Sequence, residues 1–242
     1  SGIEFDDLFN IANEAGCQIY SPTYEQCVDQ AFTRSYIQTP PPPDKVILDL
    51  KTDLNRCFGT SCSNCTYSRT LYIEQPVPGT RNLYGGGGSS SGKNGGHVFI
   101  GLTQTDALGN SVSKTIGYYP TSRPSGREEV PGFWYNENNN TIYNISVTYN
   151  VTEAQFQTIR TNLGNVYTSY QVERNNCATT ITQALQAAGI NIPETPRHQF
   201  PLGTLEANPA DLGEDLRNNP QGGTFNEVAN GQYAVPPLSS CL

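Results

Sequence analysis

The chain has 242 residues, a formal net charge of −8, 36% hydrophobic residues and only 15% charged ones. That length fits one large domain, or one domain with an extension, and the acidic balance excludes a nucleic-acid backbone or an anionic membrane as the main partner, because both demand clustered Lys and Arg. No apolar run approaches the ~18 residues of a membrane span. With 14 Tyr, no Met and a polarity carried by Asn, Gln, Ser, Thr, Gly and Pro, the composition resembles an exported, β-rich protein.

In chain order, residues 1–38 read as helical: Phe5, Leu8, Phe9 and Ala12 have i, i+3, i+4, i+7 spacing, and a second helix starts near Ser21-Pro22. The run TPPPP (39–43) is a rigid spacer. Residues 44–56 suit a short helix, and 66–75, TYSRTLYIEQ, a strand. The Gly/Ser stretch 85–96 reads as a flexible loop. Its Gly87–Asn94, GGSSSGKN, misses a phosphate loop by its last residue and by the strand that follows. HVFIGLTQT (97–105) and SVSKTIGYY (111–119) form a hairpin around DALGN, and 141–151 alternates as a strand. Thr152 and Gln155 form a capping box for a helix with Phe156, Ile159 and Leu163 on its buried side. Residues 166–173 are a further extended piece. The clearest helix is 177–188, capped by Asn175 or Asn176, striped by Ala178, Ile181, Leu185 and Ala188, and stopped by Gly189. Beyond Ile190 the chain is irregular, apart from a short helix near 208–217.

Seven cysteines are an odd number, so three disulfides in an exported protein leave one thiol over. Cys57, Cys62 and Cys65 have the C-x4-C-x2-C spacing that opens a plant-type ferredoxin motif. The next cysteine, Cys177, opens a helix, and no His pair completes a zinc site, so no metal or cofactor is expected. The three read instead as half-cystines that staple a turn-rich segment to the N-terminal helices or the C-terminal tail. Cys177 is then the reserved thiol.

At a helix start, a thiol meets the positive end of the helix dipole and unpaired backbone N–H groups. Both favour the reactive thiolate, and the N–H groups can steady an oxyanion. A base is then required, and the chain has two histidines. His97, on a strand, is held rigidly; His198, in TPRHQF, reads as a surface-loop residue. His97 shares a face with Phe99, Gly101 and Thr103, while Val98, Ile100 and Leu102 point the other way. The third, orienting group is not assigned; Thr103, Lys114, Tyr118 and Asn176 are the alternatives.

A GH entering a strand, followed after further strands by an NC at a helix start, resembles the circularly permuted papain-like superfamily, which includes permuted NlpC-like peptidases and lecithin:retinol acyltransferase-like proteins. GGHVFIGLTQT, SKTIGYYP, YNVTEAQFQTI, NNCATTITQALQAAGI and NPADLGEDLR also look like a poorly characterised family of exported bacterial proteins, over roughly residues 66–217. The resemblance implies an α+β fold: a permuted papain-like core of antiparallel sheet with a packed cysteine-bearing helix, plus a disulfide-stapled N-terminal helical extension. Three regions are expected, namely an extension over 1–65, the core over 66–190 and a tail over 191–242. The resemblance also implies Cys177 as nucleophile and His97 as base in an exported, periplasmic or cell-surface hydrolase, whose substrate is an amide in a peptide or in peptidoglycan. The alternative is an inactive surface or secretion-associated module that keeps the fold to bind a protein partner.

Overall fold

The TYSRTLYIE segment alternates large residues with small polar ones, the pattern of a strand with two differently packed faces. It forms β1 (Thr66–Glu74), the second-last strand but one of a seven-stranded sheet of order β6-β4-β3-β2-β1-β5-β9, antiparallel at every pairing. The others are β2 (His97–Thr105), β3 (Ser111–Pro120), β4 (Val130–Asn136), β5 (Ile145–Val151), β6 (Ser169–Tyr170) and β9 (Thr224–Glu227); β7 (His198–Phe200) and β8 (Gly203–Leu205) form a separate hairpin. This computed structural model describes residues 49–59, 62–82, 95–122, 128–137, 141–165, 169–195, 198–200, 203–205 and 207–240. The helices expected over 1–38, the spacer 39–43, most of the Gly/Ser loop, and Cys17, Cys27 and Cys241 lie outside those residues. The β2–β3 turn forms as its sequence suggests. The Asp106 carboxylate accepts hydrogen bonds from the N–H groups of Leu108 and Asn110, at 2.8 and 2.9 Å.

Four helices are described: α1 (Leu50–Phe58), α2 (Glu153–Gly164), α3 (Cys177–Ala187) and α4 (Pro209–Asn218). The capping box of α2 is present: Thr152 Oγ1 accepts from Gln155 N–H, and Gln155 Oε1 accepts from Thr152 N–H. Phe156, Ile159 and Leu163 are fully buried, as are Ala178, Ile181 and Leu185 of α3. They join Leu71, Ile73, Val98, Ile100, Leu102, Ile116, Ile145 and Val147 in one core. Each such side chain removed from water contributes roughly 1.5–3 kcal/mol, which fixes both helices on that face of the sheet.

Polar groups tie α1 to this core. Asp53 pairs with the buried Lys114 of β3 at 2.6 Å, and Arg160 of α2 donates to the carbonyls of Leu54 and Gly59 at 3.0 and 3.2 Å. Lys114 is therefore committed to α1. Arg69, wholly buried in the core face of β1, lies over the Tyr149 ring at 3.7 Å, a cation–π contact.

Two regions differ from the sequence reading. β4, VPGFWYN, falls in a stretch to which the sequence reading assigns no element; it carries Pro131 and Gly132 and nevertheless pairs with β3 from Gly132 to Asn136. The tail after Ile190 is more ordered than its composition suggests. β9 pairs with β5, and the chain then returns to the sheet: Ala234 bridges Tyr143, Tyr233 Oη donates to Gln75 C=O, and the Ser239 hydroxyl accepts from Thr115 N–H. The signal is absent from TFNE itself because the strand is short and mostly exposed, so its partner decides its conformation.

The disulfide expectation also changes. Cys62 and Cys65 are joined to each other across two residues, and Cys57 is disulfide-bonded as well. Two of the three thus close a local turn and do not staple distant elements. They are also unavailable as cluster ligands. Among the described residues, no helix is long and apolar enough to cross a membrane.

Candidate active site

His97 is the first residue of β2, and the backbone before it is set by Gly96. Gly96 has φ +78, and a Cβ there would sit 2.9 Å from both Pro76 Cδ and Pro209 Cβ. Only glycine fits that entry. His97 then points to the face it shares with Phe99, whose ring stacks on it at 5.4 Å.

Glu137 follows the last residue of β4 and extends its ladder by one step, donating its N–H to Thr115 C=O at 2.9 Å. That register places its carboxylate beside the imidazole, with His97 Nε2 at 3.2 Å from Glu137 Oε1. Two hydroxyls hold the carboxylate: Tyr119 Oη donates to it at 2.9 Å, and Thr141 Oγ1 donates to its other oxygen. Gly117 lies between these groups. A Cβ on it would overlap Glu137 Oε1 and stand 2.7 Å from His97 Nε2. The side chain hydrogen-bonded to His97 is thus Glu137, a residue the sequence reading did not single out beside Thr103, Lys114, Tyr118 and Asn176. Tyr118 Oη donates instead to Ser169 C=O at 3.0 Å. A carboxylate one residue beyond an aromatic strand was the available signal, but it depended on recognising β4.

Cys177 opens α3 at the expected place, with Asn176 as N-cap. The Asn176 carbonyl oxygen accepts from the N–H groups of Ala178 and Thr179, both at 2.9 Å, and its amide donates to Val172 and Ala207 carbonyls, both at 2.8 Å. The cap is thus fixed at both ends, and the Cys177 N–H donates to the Tyr170 hydroxyl oxygen. Cys177 is a free thiol, only 3% exposed; His97 and Glu137 are 1% and 2% exposed.

The three groups act on one another. Burial alone would push the His97 imidazole down; the Cys177 thiol group and the Glu137 carboxylate outweigh burial and raise it to about 9. Nε2 is engaged by Glu137, and the buried Nδ1 makes no hydrogen bond. Burial, then the neighbouring Glu137 charge, raises the Tyr119 phenol well above its ordinary value; burial, then Cys177, does the same for Tyr170. Both phenols therefore remain hydrogen-bond donors at neutral pH.

The linkage gives a pH dependence of stability. The folded His97 value, about 9, lies above its unfolded value near 6.5. Its contribution is fully present below pH ~6.5 and is lost as pH rises through about 9. Thermal unfolding is expected to show a falling midpoint over that interval, and His97→Gln should flatten the decline. A midpoint that stays level in the wild type would contradict the coupling. The charged or titratable groups against the ring are Cys177, Glu137 and Tyr119, with Glu74 opposite it in the β1–β2 register.

Cys177 is close enough to His97 to influence its protonation, while His198 opens β7 in the separate hairpin. No family model, curated protein or solved structure matches the chain. The described residues contain no group of three His, Cys, Asp or Glu able to hold a metal.

Proposed function

We propose that the chain is a cysteine hydrolase that cleaves an amide bond, with a permuted papain-like arrangement in which the histidine strand precedes the cysteine helix. The observation that carries this reading is the buried chain of contacts from Cys177 through His97 to Glu137, with Gly117 vacant between the last two. Such a cluster costs desolvation and a glycine in a strand, and the bare fold requires neither.

In this mechanism His97 Nδ1 takes the Cys177 thiol proton, while Glu137 accepts from Nε2–H and fixes that tautomer, as the hydrogen bonds assign it. The thiolate attacks the amide carbonyl carbon, and the C=O π pair moves to oxygen. The Cys177 N–H, at the positive end of α3, donates to the oxyanion in place of the Tyr170 hydroxyl it meets in the free chain. The C–N bond breaks as His97 returns its proton to the leaving amine, giving a thioester. Water, deprotonated by His97, attacks the thioester; the C–S bond breaks and the acid leaves. Peptide or cell-wall amides are the substrate class, and export is supported by the cystines at Cys57 and Cys62–Cys65.

An activated ester tests the machinery without knowledge of the natural substrate. p-Nitrophenyl acetate should give a burst of nitrophenolate and an acetyl group mapped by mass to Cys177. Peptides and peptidoglycan fragments, offered in parallel, then separate the two amide sources. Absence of acylation at Cys177 by the activated ester would sink the reading.

A further inference from the structure

We propose that Cys62–Cys65 is a dithiol–disulfide exchange site that accepts electrons from an alkyl thiol seated in the cleft beside it. This does not rest on the hydrolase reading. The disulfide spans only Ser63 and Asn64, and Asn64 adopts φ 61, a left-handed conformation. Stabilisation by a disulfide grows with the loop it closes. A cystine across two residues gains least from that effect, and this one links no separate elements. Longer-range cross-linking falls to Cys57, in a different disulfide.

Three features equip the pair for exchange. First, a cleft of about 600 Å³ opens on both cysteines, walled by Tyr67, Asn150, Thr152 and Glu153 among others. Second, the Gln104 side-chain amide on β2 donates to Cys65 Sγ at 3.6 Å. That donor stabilises negative charge on one sulfur of the pair and so marks it as the leaving group. Third, Cys65 packs against the hydrophobic core just before β1, whereas Cys62 is not part of that packing. The attacked atom is therefore Cys62 Sγ. The incoming thiolate forms an S–S bond to it, the Cys62–Cys65 bond breaks, and its electron pair goes to Cys65 Sγ. A second thiolate then attacks the sulfur of the first thiol in the mixed disulfide. The products are the oxidised partner disulfide and the reduced Cys62/Cys65 dithiol, two electrons having passed from the two thiols to the pair.

The test uses the full chain. Reduced glutathione and a cysteine-bearing peptide are offered separately, thiols are trapped with an alkylating reagent over time, and the sites are mapped by mass. The Cys62–Cys65 pair is expected to open at least tenfold faster than the disulfide of Cys57 in the same molecules, with Gln104→Leu slowing it several-fold. Given oxidised glutathione, Cys65→Ser should collect a stable adduct on Cys62 faster than Cys62→Ser collects one on Cys65. A faster glutathione arm identifies a free thiol as donor, and a faster peptide arm a cysteine in a polypeptide; either supports exchange. A pair that opens no faster than the Cys57 disulfide, or an adduct that favours Cys65, overturns the proposal, and the first result needs no variant to fold.

Discussion

Replacing His97 by alanine is expected to slow alkylation of Cys177 by iodoacetamide at pH 7 by about 100-fold or more, the usual scale for losing a positioned base. The direction is informative because packing predicts the opposite. Cys177 is 3% exposed, and removing an imidazole beside it opens a path for the reagent. A merely buried thiol would therefore react faster in the variant. Only a thiol activated by His97 reacts more slowly. Mass mapping confines the measurement to Cys177, the free cysteine among the described residues.

Gly117→Ala is the second large effect. Its Cβ would overlap Glu137 Oε1 and stand 2.7 Å from His97 Nε2 and 2.9 Å from Tyr119 Cε2. None of the three can retreat freely, since Thr141 and Tyr119 hold the carboxylate and Phe99 backs the imidazole. Overpacking of this kind costs roughly 1–3 kcal/mol. We expect a lower unfolding midpoint together with a His97 titration shifted down from about 9, as the Glu137 contact is forced apart. A control at a more open strand glycine separates the two effects. At Gly101 the nearest atom to a Cβ is the Tyr72 ring edge at 3.0 Å, so Gly101→Ala should disturb stability less and leave the His97 titration in place. Equal effects on His97 from both substitutions would contradict the role given to Gly117.

The parts of the fold legible in the sequence are those whose signal is local. The Thr152–Gln155 capping box, the apolar stripe of α3 and its glycine stop each lie within one helix, and the β2–β3 hairpin is specified by its own turn. Cys177 and His97 were legible for the same reason, as a helix start and a strand start. Glu137 was not. Its role depends on β4, whose Pro131 and Gly132 resemble a turn, and on a register that puts it one step beyond Asn136 and opposite Thr115. β9 was hidden likewise, since TFNE has no face of its own to bury. The Cys62–Cys65 pairing was invisible because spacing alone does not choose among cysteine partners. Long-range register placed Glu137 beside His97, and no short window of sequence contains that information.

The most direct measurement is the titration of the His97 imidazole by NMR, assigned by its loss in His97→Gln and separated from His198 by His198→Gln. The coupled site predicts a midpoint near 9 in the wild type and a fall in Cys177→Ala, where burial is opposed by Glu137 alone. A wild-type midpoint at or below 6.5, or one that Cys177→Ala leaves unchanged, would contradict the pairing of Cys177 with His97.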